Sequence, residues 1–161
     1  MDKTIITALL IIAGVISAVL VYNAVYPAII RSSDALVSRQ RRIDERLSSQ
    51  IEIIHAVPWG VCNVDTVYVW VKNVGSSRIA AIEGCDVFFG PEGNFSRIPY
   101  GTGDSHWTYQ VENDTDWNPT ATLKITIEHA NKLGDERYFV KVTLPNGVSD
   151  EYYFSFDEQC G

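Results

Sequence analysis

The N-terminal run of residues 4–30 is uncharged and almost wholly apolar, and no other feature constrains the fold as much. As an α-helix it would extend ~40 Å at ~1.5 Å per residue, more than the ~30 Å hydrocarbon thickness of a bilayer. It also exceeds the roughly 7–15-residue apolar part of a cleavable secretory signal. We therefore expect a retained helix whose surface is covered by lipid or by copies of the same helix.

A polar stretch with helical periodicity follows the apolar run. Five apolar residues repeat at intervals of seven, four, four and three: Leu36, Ile43, Leu47, Ile51 and Ile54. This spacing places them on one face of a helix. The pattern predicts one helix from about residue 3 to about residue 55, which Pro27 would bend and Pro58 would end. An apolar anchor followed by a separate surface helix is the alternative.

Small residues within the apolar run indicate where helices could meet. Gly14 and Ala18 stand four apart, a spacing that lets helices approach closely, although it also arises by chance in an alanine-rich segment. The large residues predicted to pack between subunits in a helical core are Ile5, Leu9, Ile12, Val15, Ile16, Val19 and Val25.

From residue 59 onward the apolar residues alternate with a period of two, which is typical of half-buried β-strands. Strands are predicted at 64–75, 79–90, 107–111, 121–129, 137–144 and 148–156. The turn Pro145-Asn146-Gly147 predicts a hairpin between the last two. The four tryptophans are expected in the core. The predicted fold class is α+β: an N-terminal helix in residues 1–57 and an antiparallel, Ig-like β-sandwich in residues 58–161.

Charge and cysteine content narrow the function. Residues 57–161 hold seven Lys and Arg against fifteen Asp and Glu, a net charge of −8, which argues against a nucleic-acid groove. Cys62, Cys85 and Cys160 form an odd set, so an exported chain could form one disulfide and leave one thiol. The spacing leaves the pairing open and does not match a zinc site.

No catalytic motif is present, and the three histidines are scattered, so we expect a non-enzymatic protein with no cofactor and no small-molecule substrate. Four acidic residues in the segment 101–118 could bind Ca²⁺, but a solvated loop is favoured: Asp104, Glu112, Asp114 and Asp116. Asn94 and Asn113 begin N-glycosylation sequons in predicted loops, and both are candidate acceptors.

Three features together resemble the archaeal-type flagellin (archaellin) family and its type IV pilin-like relatives. The chain opens with an apolar helix that has a polar continuation. A strand ends in Lys72-Asn73-Val74-Gly75, and the segment 86–90, Asp-Val-Phe-Phe-Gly, follows. Bacterial type IV pilins usually carry a glutamate where Ile5 stands, so the likeness is closer to archaellins.

The resemblance implies a subunit of an extracellular helical filament that serves motility, with helices bundled in the core and β-domains on the surface. Its partners would be identical copies, and the chain would be inserted in the membrane before assembly. The alternatives are a membrane-anchored accessory protein of the archaellum motor and a non-rotating adhesion pilin. All three candidate functions are compatible with the same architecture, an N-terminal apolar helix followed by a β-sandwich.

Overall fold

The computed structural model describes residues 2–60 and 62–157, and within the helix it describes the side chains of residues 3–27, 40 and 43–48. The chain divides into two compact units, Met1–Ile43 and Asp44–Gly161. We call the second unit the β-domain. It begins with the last turn of the helix.

One α-helix, α1, covers Asp2–Ser48 without a break and contains Pro27. Its 47 residues correspond to about 70 Å at ~1.5 Å per residue. The predicted continuous helix is therefore found, but it ends at Ser48 rather than near residue 55. The predicted bend at Pro27 stays a prediction.

Residues 51–58 form a strand, and the prediction that the helix continues to about residue 55 is wrong. Strand β1 (Ile51–Pro58) pairs with the next strand, and its register shifts between Ile53 and His55. This bulge allows Ile51, Ile53 and Ala56 all to be buried. Ile51 and Ile54 matched a helical repeat by spacing alone, but pairing across the sheet satisfies the backbone of this segment instead. The predicted division at residue 57 therefore runs through β1.

Eight strands form two antiparallel four-stranded sheets. The first sheet has the order β1-β2-β6-β5, and the second has the order β4-β3-β7-β8. After β1, the strands are β2 (Thr66–Asn73), β3 (Asp86–Pro91), β4 (Ser96–Ile98), β5 (His106–Val111), β6 (Thr122–Glu128), β7 (Glu136–Thr143) and β8 (Ser149–Phe156). The edge strands of the two sheets are joined where the Ile53 N–H donates to Asp150 Oδ2 at 2.7 Å.

Most predicted strands are found with small shifts of their ends. The exception is 79–90, where a short 3₁₀ helix (Ile82–Gly84) precedes β3. The predicted hairpin is present between β7 and β8: Gly147 has φ +86° and its N–H donates to the Leu144 carbonyl. Strands β1 and β4 are present although no strand was predicted there.

The inner faces of both sheets share one hydrophobic core. Alternate residues of β2 and β6 are buried on the first sheet, as the period of two predicted: Val67, Val69, Val71, Leu123, Ile125 and Ile127. Val87, Phe89, Val140 and Val142 close the core from the second sheet. Trp107 and Trp117 are buried as predicted. Trp59 is 66% exposed and Trp70 is half-buried on the face opposite Val69, so the expectation that these two pack in the core is wrong.

Candidate functional site: the apolar helix and the surface of the β-domain

The N-terminal part of α1 exposes apolar side chains around its circumference. Residues Lys3–Pro27 have a mean hydropathy of 2.7 and suffice by length and composition to cross a membrane. The side chains predicted to pack between subunits are between 47% and 60% exposed in the single chain: Ile5, Leu9, Ile12, Val15, Ile16, Val19 and Val25. A helix that is apolar all round requires an apolar environment.

Two hydroxyl groups of this segment are compatible with such an environment. Thr7 Oγ1 donates to the Lys3 carbonyl at 2.7 Å, and Ser17 Oγ donates to the Ala13 carbonyl at 2.8 Å. These two hydroxyl groups are thus hydrogen-bonded to their own helix, which removes most of the cost of placing them in lipid or against another helix.

Gly14 and Ala18 carry no large side chain, so the helix surface is recessed on this side. A Cβ added at Gly14 would meet no heavy atom within 4 Å. Ala18 lines a shallow apolar groove with Ser17, and the stacked rings of Tyr22 and Tyr26, 5.2 Å apart, border it. The geometry permits close approach of another helix here, and it equally permits lipid contact.

The segment Lys72-Asn73-Val74-Gly75 fixes the turn that leaves β2. Asn73 is fully buried, and its side-chain NH₂ donates to the carbonyls of Ser77 (2.9 Å) and Trp117 (3.1 Å). Its Oδ1 accepts the Gly75 N–H at 3.0 Å. One asparagine side chain therefore hydrogen-bonds to three backbone groups and links the turn after β2 to residue 117.

Gly75 lets this turn contact residues 48–50. A Cβ at Gly75 would overlap the Ser48 carbonyl oxygen and lie 2.5 Å from the Gln50 nitrogen. The N–H of Gly75 donates to the Gln50 carbonyl, and the N–H of Ser76 donates to the Ser48 carbonyl at 2.8 Å. These bonds satisfy carbonyls at and beyond the end of α1.

A second contact holds the last turn of α1 to the β7–β8 hairpin. The Arg46 Nε donates to the Asn146 carbonyl at 2.8 Å. Asn146 Oδ1 in turn accepts the Val148 N–H at 3.1 Å. Sequence reasoning missed this role of Arg46, because nothing local relates residue 46 to a turn one hundred positions later.

The outer face of the first sheet carries exposed aromatic rings. Trp59 packs on Tyr68 with ring centroids 5.2 Å apart, and His55 stacks on Trp70 at 5.8 Å. The Lys124 ammonium lies 3.9 Å from the centre of the Tyr68 ring, which is a cation–π geometry. This face is thus aromatic, whereas residues 57–161 as a whole are strongly acidic.

Two acidic residues of the loop 101–118 make local contacts. Asp114 accepts hydrogen bonds from Asn118 Nδ2 at 2.8 Å and from the Thr115 N–H at 2.7 Å, and these bonds hold its pKa below the usual range. Asp116 pairs instead with Arg78 at 3.3 Å. Among the described residues, no group of three His, Cys, Asp or Glu side chains is arranged to hold a metal ion.

The cysteines have different states. Cys62 is disulfide-bonded, whereas Cys85 is a buried free thiol. Burial, and next the charge of Asp86, raise the pKa of the Cys85 thiol to about 12. Cys160 lies outside the described residues. Of the two predicted partners that the structure describes, Cys62 is therefore bonded and Cys85 is reduced.

Comparison with known proteins shows which protein family this chain matches. A family model described as archaeal-type flagellin matches residues 3–154. An uncharacterized protein of Archaeoglobus fulgidus is 30% identical over 96% of this chain and 98% of that protein. Both matches include the apolar helix and the strands of the β-domain.

Two solved structures show similar folds. The archaellum periplasmic stator protein FlaG from Sulfolobus acidocaldarius is 27% identical, with a TM-score of 0.59, over 66% of this chain and 99% of that chain. The archaeal flagellum of Methanospirillum hungatei is 12% identical, with a TM-score of 0.72, over 96% of this chain and 93% of that chain.

Proposed function

Because this chain belongs to the archaeal-type flagellin family, we propose that it is a membrane-anchored, stator-type component of an archaellum. The 27% identity with a periplasmic stator protein carries this proposal. The filament protein is 12% identical, a level that shows the fold alone. The family and both neighbours are structural proteins rather than enzymes, in agreement with the sequence analysis.

The helix supports the anchoring part of the proposal. Lys3–Pro27 is 25 residues long, or about 37 Å as a helix, which spans a ~30 Å hydrocarbon core with some tilt. The hydroxyls of Thr7 and Ser17 are hydrogen-bonded within the helix, so these two groups require no polar partner. The acidic region 57–161 is suited to water. We therefore infer an anchor in the membrane and a β-domain outside the cell membrane.

A filament subunit, favoured by the sequence analysis, is the second candidate. The observation in its favour is that the match to the archaeal flagellum extends over 96% of this chain and so includes the helix. In this candidate, identical copies rather than lipid cover the exposed apolar side chains after release from the membrane. The filament would then be an extracellular structure on the cell surface.

The two candidates differ in where the mature chain is found. Filaments would be sheared from cells, separated from membranes by sedimentation, and both fractions analysed by quantitative mass spectrometry. A stator-type protein stays with the membranes and dissolves in detergent as a monomer or small complex. If this chain is instead the major protein of the sheared filaments, the stator proposal is wrong and the filament candidate replaces it.

A further inference from the structure

A cleft at one end of the β-domain has no role in the proposed anchoring. Its volume is about 460 Å³, and it lies between the β3–β4 turn and the segment 129–136. Asn94 lines it together with Asn131, Lys132 and Glu136. Asn94 also borders a second concave surface of about 500 Å³, formed with Glu92 and Arg137 among others. Asn94 therefore borders two concave surfaces.

Asn94 ends a tight turn that presents its side chain to solvent. Its backbone N–H donates to the Pro91 carbonyl at 2.9 Å, and Gly93 adopts φ +84°. The residue is exposed, and no hydrogen bond to its side-chain amide occurs among residues 2–60 and 62–157. Phe95, which follows in the sequon, is 48% exposed and also lines the cleft. The amide nitrogen is thus accessible beside an aromatic ring.

The second sequon is less available. Asn113 Oδ1 accepts the Thr122 N–H at 2.9 Å, so its amide is held against β6. The hydroxyl of Thr115, the third residue of this sequon, lies 3.5 Å from Asp114 Oδ1. The two sequons share the same pattern in sequence, but the Asn113 amide is held by a hydrogen bond to β6, whereas the Asn94 amide is free of such a bond within the described residues and Asn94 lines a cleft.

We propose that Asn94 is the N-glycosylation site of this protein and that the first sugars of the glycan lie in the adjoining cleft. The donor is an oligosaccharide joined through its anomeric carbon to a lipid phosphate. A transferase forms the bond from that carbon to Asn94 Nδ2, the carbon–oxygen bond to phosphate breaks, the lipid phosphate leaves, and Nδ2 loses one proton. The amide of Asn131, the ammonium of Lys132 and the carboxylate of Glu136 offer hydrogen bonds to sugar hydroxyls. The ring of Phe95 offers a flat face on which a sugar can pack.

The first test is the site itself, by glycopeptide mass spectrometry of protein purified from its own cells. We expect glycan on the peptide that contains Asn94 and complete loss of that glycan in Asn94→Gln. Ser96→Ala should also abolish it, whereas Ser96→Thr should retain it, because both Ser and Thr satisfy the sequon. Asn113→Gln is the matched control and should leave the Asn94 glycan unchanged. An unmodified Asn94 peptide would overturn the inference.

The second test concerns the cleft. Hydrogen exchange of amides 129–136 should be at least several-fold slower in the glycosylated protein than in Asn94→Gln, because bound sugars shield this segment. Equal exchange in folded samples of both proteins would remove the cleft from the proposal.

The inference rests on the proposed location of the β-domain outside the cell membrane, so that location is tested separately. Protease added to intact cells should digest the β-domain of both the wild type and Asn94→Gln. Digestion with no glycan at Asn94 would defeat this inference and leave the proposed function standing. A β-domain protected from the protease would defeat the proposed function as well.

Discussion

At the scale of single residues, the segment 72–75 has a structural role that explains why its residue types are needed. Asn73 is the only fully buried polar side chain among the described residues, and its three hydrogen bonds fix the turn after β2. Gly75 is required because backbone from residues 48–50 occupies the space of a Cβ. The segment that carries the family resemblance therefore also holds the end of α1 to the β-domain.

Gly75→Ala should destabilise the β-domain by about 2–3 kcal/mol, because its Cβ would overlap backbone atoms that cannot rotate away. For a domain of this size, that change corresponds to a fall in Tm of about 10 °C. Gly134→Ala is the matched control, since a Cβ there meets nothing within 4 Å. Calorimetry would compare both variants with the wild type, and equal Tm values for the two variants would contradict this account of Gly75.

Cys85 should make stability depend on pH above about pH 9. Its pKa is about 12 in the folded protein against 9.0 in the unfolded chain, so the folded state retains a proton that the unfolded state loses. Its contribution is therefore complete below pH 9 and is lost as the pH rises toward 12. Urea unfolding at pH 8 and pH 10.5 should show a smaller loss of stability in Cys85→Ala than in the wild type. Identical losses would show that Cys85 is not the responsible group.

At the scale of elements, α1 contains two different segments. Its first part is apolar on every side, whereas its last turn is tied to the β-domain by Arg46 and Ser48. A larger side chain at Gly14 would distinguish the two candidate functions, because lipid adapts to it and a closely packed neighbouring helix does not.

Gly14→Leu should leave the amount of chain in the membrane fraction unchanged within a factor of two, because the position is open and leucine favours both lipid and helix. Gly14→Ala is the control of minimal size. Gly14→Arg should instead weaken insertion by about 2.5–3.5 kcal/mol. Quantitative blotting of membrane fractions measures all three. Loss of assembly in Gly14→Leu with normal assembly in Gly14→Ala would favour a packed helical core.

At the scale of the whole molecule, the β-domain contains the whole of the described hydrophobic core. The two sheets bury their inner faces against each other, and β1 completes one edge of the first sheet. The domain therefore has what it needs to fold without the apolar helix.

A fragment of residues 44–161 should fold cooperatively and remain monomeric, whereas a fragment of residues 58–161 should aggregate or stay unfolded. The shorter fragment lacks Ile51, Ile53 and Ala56, and it exposes the edge of β2. Circular dichroism during thermal unfolding, with size-exclusion chromatography, compares the two. A folded, monomeric 58–161 fragment would show that β1 is dispensable.

The sequence by itself determined the elements whose evidence is local. The uncharged run specified a helix that needs an apolar environment, alternation specified β2 and β6, and Pro145-Asn146-Gly147 specified a hairpin. Only the tertiary structure decided that residues 51–58 form a strand, because their apolar spacing fits either period until a partner strand is present. It likewise decided the exposure of Trp59 and the cleft beside Asn94, since both depend on residues distant in the chain.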